Sequence, residues 1–193
     1  KACQNMTKKK VIGLTILSAI AALALYSHAK KNHAIMFLGE MNQIGKAYQT
    51  YMLDTGRDLP RYDTNLENIN IKQTSELAFS RIAEWQGPYL KYKISRNDPK
   101  LIKHKKYGNI QLISATDTDW GENHPTTKKW PNQPCFVLNQ CHLWIQISDV
   151  TGNFKYVIDE RIDNGSGSSK GNFRWYTENG ADVYMLKYMA PEY

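Results

Sequence analysis

Lys8-Lys9-Lys10-Val11-Ile12-Gly13-Leu14-Thr15-Ile16-Leu17-Ser18 opens an apolar run that continues to Tyr26. From Val11 to Tyr26 no residue is charged, and only Thr15, Ser18 and the Tyr26 hydroxyl are polar. As a helix this run of about 16 residues is roughly 24 Å long, against the ~20 residues needed for a bilayer core. Two readings follow. In one, Lys8 to Lys10 form the basic start of a secretory signal, and Ser27-His28-Ala29 is its small-residue cleavage site. In the other, a short basic leader ends at Gly13 and the apolar run remains as the start of a long helix. On its own the window fits the signal; the residues beyond it favour the retained helix.

Beyond Lys30-Lys31, Phe37, Met41, Ile44, Tyr48 and Tyr51/Met52 recur at steps of four, three, four and three. They form one stripe, with Asn42, Gln43, Lys46 and Gln49 off it. Gly56 stands where a helix C′ residue belongs and Pro60 follows, so the helix should end near Asp54 or Thr55. No strong breaker separates Leu14 from Asp54. One helix of about 40 residues, or roughly 60 Å, would therefore be apolar at its start and amphipathic at its end.

Charge is consistent with an exported chain. The sequence has 25 basic and 18 acidic side chains, a net charge of +7. Lys1, Lys8, Lys9 and Lys10 account for four of the 25, leaving 21 basic against 18 acidic, or +3. Met6 would begin a basic leader, and lysines beside an apolar segment stay cytoplasmic while the rest is exported. Of three cysteines, Cys3 falls in the leader, and Cys135 and Cys141 form a natural disulfide pair in an oxidising compartment. So small a ring would contribute roughly 2 kcal/mol. A zinc site drawn from Cys135, Cys141, His142 and His124 lacks any recognised ligand spacing.

Residues 57–106 read as a long connection with one short helix, Ser75 to Trp85, stopped by Gly87-Pro88. Its second half carries Lys91, Lys93, Arg96, Lys100, Lys103, Lys105 and Lys106 against a lone Asp98, interleaved with Tyr89, Tyr92 and Tyr107. Such a cluster suits nucleic-acid phosphates and bases, and equally a solvated loop. Ile110 to Ser114 reads as a strand. His142 to Ser148 alternates Leu143, Ile145 and Ile147 against Trp144 and Gln146, the period of a half-buried strand. Asp149 to Arg161 reads as a helix and Asn164 to Ser169 as a flexible loop. Phe173 to Thr177 and Val183 to Tyr188 pair as strands across an Asn179-Gly180 turn. The sum is α+β, a long helix laid on an antiparallel sheet, with a leader at 1–13, a helix at 14–56 and a globular head at 57–193.

At this point the residues resemble a known superfamily, the type IV pilins and type II secretion pseudopilins. Gly13-Leu14-Thr15-Ile16-Leu17 resembles the Gly-Phe-Thr-Leu-Ile at which prepilins are cut. Ile44 to Pro60, with Tyr51, Asp54, Gly56 and Pro60, is similar to the end of the pseudopilin helix. Trp85-Gln-Gly87-Pro88-Tyr89-Leu90 resembles the Trp-x-Gly-Pro-Tyr-Leu that follows it. Ile162-Asp-Asn-Gly165 and Gly171-Asn-Phe-Arg174 are similar to pilin C-terminal regions. The resemblance implies a filament subunit, cut after Gly13 by a prepilin peptidase and methylated on Leu14. Such a subunit is held in the inner membrane with its head in the periplasm until an assembly platform stacks it, through the helix, on other subunits.

One position departs from that pattern. The family usually has Glu at the fifth mature residue, where it meets the N-terminal ammonium of the next subunit; here it is Ser18. A carboxylate in an apolar bundle needs such a partner, so its absence suggests a minor, tip-like component. Some major pseudopilins bind calcium with loop acids, and Asp117, Asp119 and Glu122 are this chain's candidates, without the full ligand spacing.

Nothing in the sequence assembles an enzyme. Gly165-Ser-Gly-Ser-Ser-Lys170-Gly171 resembles a phosphate loop only superficially, because Lys precedes the last Gly and no apolar strand runs directly into it. The five histidines stand in no Glu-flanked or paired spacing, and no Ser-His-Asp order is identifiable. The expectation is a non-enzymatic subunit with no cofactor beyond that calcium candidate. Two alternatives stand beside it: a DNA-binding or adhesive minor pilin using Lys91 to Lys106, and a soluble periplasmic protein cut after Ala29.

Overall fold

A computed structural model describes residues 2–61, 70–117 and 141–188, with side chains for 19–61, 71–117 and 141–188. Helix α1 runs unbroken from Ala2 to Thr55, 54 residues or about 80 Å at about 1.5 Å per residue. It ends as the sequence predicts. Gly56 takes the left-handed conformation at φ 66°, and its N–H donates to the Met52 carbonyl at 3.0 Å, closing the C-terminus. The Thr55 hydroxyl donates to the Tyr51 carbonyl at 2.7 Å.

The head is an antiparallel sheet of seven strands: β1 (Asn70–Lys72), β2 (Lys93–Ile94), β3 (Ile102–Lys103), β4 (Asn109–Thr116), β5 (Cys141–Val150), β6 (Phe173–Glu178) and β7 (Ala181–Lys187). Their spatial order is β2-β3-β4-β5-β7-β6, with β1 also paired to β4. Helix α2 (Lys155–Asp163) links β5 to β6. Ile145 sits opposite Leu112 on one side and Leu186 on the other, so one sheet face presents a continuous apolar layer. Phe37, Met41, Ile44 and Tyr51 of α1 bury against that layer, as the stripe requires, while Met52 stays exposed. Phe37 meets Tyr107, Phe154 and Tyr184 edge-on at 5.4–5.6 Å between centroids. A side chain at Gly45 would sit 2.1 Å from the Tyr188 ring, so glycine here is what lets the helix approach the end of β7.

The opposite sheet face is not solvated. Trp144, Ile113, Tyr176, Val183 and Met185 form a second buried cluster. β5 is therefore covered on both faces from Trp144 to Ile147 rather than half-buried, and Gln146 donates to its cross-strand neighbour Gln111 at 2.9 Å.

Two predicted helices differ from the observed ones. The Ser75 to Trp85 segment forms only a 3₁₀ turn, Thr74–Leu77. The Ser75 carbonyl accepts the Phe79 amide at 3.0 Å, but the next two serve distant donors: Trp85 Nε1 donates to the Glu76 carbonyl at 2.9 Å, and the Tyr89 and Leu90 amides donate to that of Leu77 at 2.9 and 3.0 Å. Helix α2 starts six residues later than the pattern at Asp149 indicates, because Asp149 (φ 52°) and Gly152 (φ 100°) are left-handed and cannot belong to a right-handed helix. The Asn179-Gly180 turn is as predicted, with φ of 51° and 78° joining Glu178 to Ala181 in the primed-turn geometry.

Candidate functional site

The two regions that carry the sequence's functional signals are the start of α1 and the basic segment ahead of β4. From residue 19 to residue 33 of α1 no side chain is buried. Ile20, Leu23, Leu25 and Tyr26 are 60%, 69%, 71% and 61% exposed. At about 100° per residue these four point to widely separated directions around the axis, and a helix that is apolar all round needs cover all round. Among the described residues, from 19 onward, none of α1 is buried until Ala34. Among the described residues no helix is long and apolar enough to cross a membrane. The processing positions Gly13 and Leu14, and Ser18 in place of the assembly Glu, lie on the α1 backbone, with side chains outside the described residues.

The basic segment does not act as one patch. Lys93 and Lys103 lie directly opposite each other in the β2–β3 pair, both exposed. Arg96 and Lys100 are exposed in the turn between those strands, where the Lys100 carbonyl accepts the Ser75 amide at 3.0 Å. Lys106 lies over the Tyr107 ring at 5.3 Å. Lys91 and Lys105 instead converge on a groove of about 490 Å³ whose far wall is α1, and there they meet Lys46. The interleaved tyrosines are engaged by their own neighbours. Tyr107 is buried and stacks on His104 at 4.8 Å. Tyr92 lies 5.6 Å from the same imidazole, with Lys105 over its face. Tyr89 meets Tyr51 and Trp85 edge-on.

His104 ties this segment to the helix. Its Nδ1 accepts the Lys106 and Tyr107 amides, each at 3.1 Å, so the proton sits on Nε2, which donates to Glu40 at 3.2 Å. Burial pushes its pKa below the ordinary imidazole value, Lys105 and Lys103 push it further, and Glu40 opposes them. A second tie lies near the helix end. Tyr48 donates to Asp58 at 2.7 Å, and the buried Lys72 ammonium pairs with the same carboxylate. Burial and then Asp58 hold the Tyr48 hydroxyl protonated far above its usual range. Tyr51 donates to Glu76 at 2.9 Å, and its pKa is likewise raised by burial and by that carboxylate.

Cys141 begins β5 and is disulfide-bonded, while Cys135, its expected partner, lies outside the described residues. Of the calcium candidates, Asp119 and Glu122 also lie outside them. Asp117 is engaged by two cations, Arg174 at 2.8 Å and Lys187 at 2.7 Å. Among the described residues no group of three or more His, Cys, Asp or Glu side chains is placed to hold a metal. The Gly/Ser loop is held at Gly167, whose amide donates to the Asp159 carboxylate at 3.1 Å, and just beyond it the Asp163 carboxylate accepts the Asn172 amide at 2.8 Å and the Phe173 amide at 2.7 Å.

Sequence reasoning missed Lys46 and the Glu40–His104 pair. Lys46 was visible only as a polar residue off the apolar stripe, and nothing local to it indicates that residues 45 and 59 positions further on will face it. Comparison with protein-family models, with curated proteins and with solved structures finds no match.

Proposed function

We propose that the chain is a non-enzymatic, pilin-like filament subunit, a minor component of a type IV pilus or secretion pseudopilus. The observation that carries this reading is α1, 54 residues long, whose stretch from Ala34 to Tyr51 packs on the sheet while Ile20, Leu23, Leu25 and Tyr26 ahead of it are exposed in separate directions. Such a surface has two stable environments, lipid and a bundle of like helices, and a subunit can pass between them without exposing it to water. In this reading Lys8 to Lys10 remain cytoplasmic, a prepilin peptidase cuts after Gly13 and methylates Leu14, and the head lies in the periplasm. The partners are other subunits, the peptidase and an inner-membrane assembly platform. Ser18 offers no carboxylate to a neighbouring ammonium, which suits a tip position, where there is no preceding partner to satisfy.

Mass spectrometry of the mature N-terminus after co-expression with a prepilin peptidase tests the reading. A peptide starting at methylated Leu14 supports it. A peptide starting at Lys30 means that the apolar helix is discarded as a signal, and the proposal fails. For the tip position, Ser18→Glu should lengthen filaments or move the subunit into the shaft, and an unchanged position and length would refute it.

A further inference from the structure

We propose that the groove between α1 and the basic segment binds a multiply charged phosphate-type oxyanion from solution, a role independent of filament assembly. Lys46 from α1, Lys91 ahead of β2 and Lys105 after β3, three lysines from three separate segments, line it. None of the three makes an ion pair with a described residue, and no carboxylate is among the described residues that line the groove. Two acids of the same stretch of α1 stand beside the groove without lining it: Glu40 pairs with His104 and bears on Tyr92, and Asp54 bears on the Tyr89 hydroxyl. Gln43 and Thr50 add neutral polar groups one turn either side of Lys46. The Thr50 hydroxyl donates to the Lys46 carbonyl at 3.0 Å, which leaves its oxygen as an acceptor. At about 490 Å³ the space falls within the ~300–1,000 Å³ of small-ligand sites.

The chemistry of the lining selects among anions. Planar carboxylates are matched best by the guanidinium fork, and the groove holds three lysines and no arginine. Ammonium groups are point charges that suit the dispersed oxygens of a di- or triphosphate. Stacked bases are not the recognition element, because Tyr92 already carries Lys105 and His104 on its ring and Tyr89 is wedged against Tyr51 and Trp85. A lipid headgroup is out of reach of a membrane that holds the apolar run. Lys46 is 20 residues past Tyr26, about 30 Å along the helix.

The test is calorimetric titration of the full chain, in neutral detergent, with pyrophosphate and with citrate as the polycarboxylate comparator. Pyrophosphate should bind one to one and more tightly than citrate. Lys46→Gln, Lys91→Gln and Lys105→Gln should each weaken it by about five- to tenfold, while Lys93→Gln and Lys103→Gln change it by about twofold or less. Equal binding of citrate, or a loss spread evenly over all five lysines, would overturn the assignment, as would no binding at low salt. Vesicles containing phosphatidylglycerol should sediment the wild type and Lys46→Gln equally; a difference would make the site a lipid contact and refute the soluble ligand.

Discussion

Replacing Ile20, Leu23 and Leu25 together by serine isolates what the exposed part of α1 does. These side chains keep 60%, 69% and 71% of their surface uncovered within the subunit. Burying a whole Leu or Ile side chain is worth about 1.5–3 kcal/mol, so covering the remaining two thirds contributes about 1–2 kcal/mol each. The triple variant should therefore weaken helix-mediated association by about 3–6 kcal/mol, or roughly 10²- to 10⁴-fold. None of the three belongs to the described core of the head, and between residues 19 and 34 the first buried residue of α1 is Ala34. Sedimentation equilibrium in mild detergent measures the association, and thermal melting followed by near-ultraviolet circular dichroism measures the head. The expected outcome is lost self-association with an unchanged melting temperature. Unchanged association would refute the argument that this surface is an assembly element, and a lowered head stability would show that it packs within its own subunit.

Three further outcomes follow from the ties between helix and head. Asp58→Ala leaves the Lys72 ammonium, 1% exposed, without its carboxylate and should cost about 3 kcal/mol in chemical denaturation, whereas Lys72→Met leaves only a half-exposed acid and should cost about 1 kcal/mol or less. Equal losses would show that the ammonium is not buried as described. His104 is held neutral, its pKa below the usual 6.5, so the unfolded chain takes up its proton first and stability falls as pH drops below about 6.5 toward the folded value. Wild type should accordingly lose melting temperature between about pH 7 and pH 5 more steeply than His104→Gln, and parallel curves would count against the neutral imidazole.

The elements legible in the sequence were those set by local chemistry. Gly56 ends α1 because only a residue at ease with positive φ closes that turn, and Asn179-Gly180 forms the hairpin for the same reason. The Phe37 to Tyr51 stripe follows from helix period alone. What escaped depends on partners distant in the chain. The carbonyls of Glu76 and Leu77 look available for a helix until Trp85, Tyr89 and Leu90 fold back on them. Trp144 and Gln146 look solvent-facing until a second cluster covers that side of β5. The short strands β1, β2 and β3 have two or three residues each, too few for any period to show. At the groove, seven cations adjacent in sequence part company because β2 and β3 pair them across one another, and the residue that completes the site comes from a helix 45 positions earlier.

That pairing bears on the direction in which copies can add to one another. β2 is an outer strand of the sheet, two residues long, with Lys93 opposed to Lys103. A foreign strand docking there would extend an existing pair of like charges and find two residues of backbone to bond. Strand addition at this edge is thus disfavoured at ordinary ionic strength, and strong salt is the condition under which a ribbon-like contact would first form here.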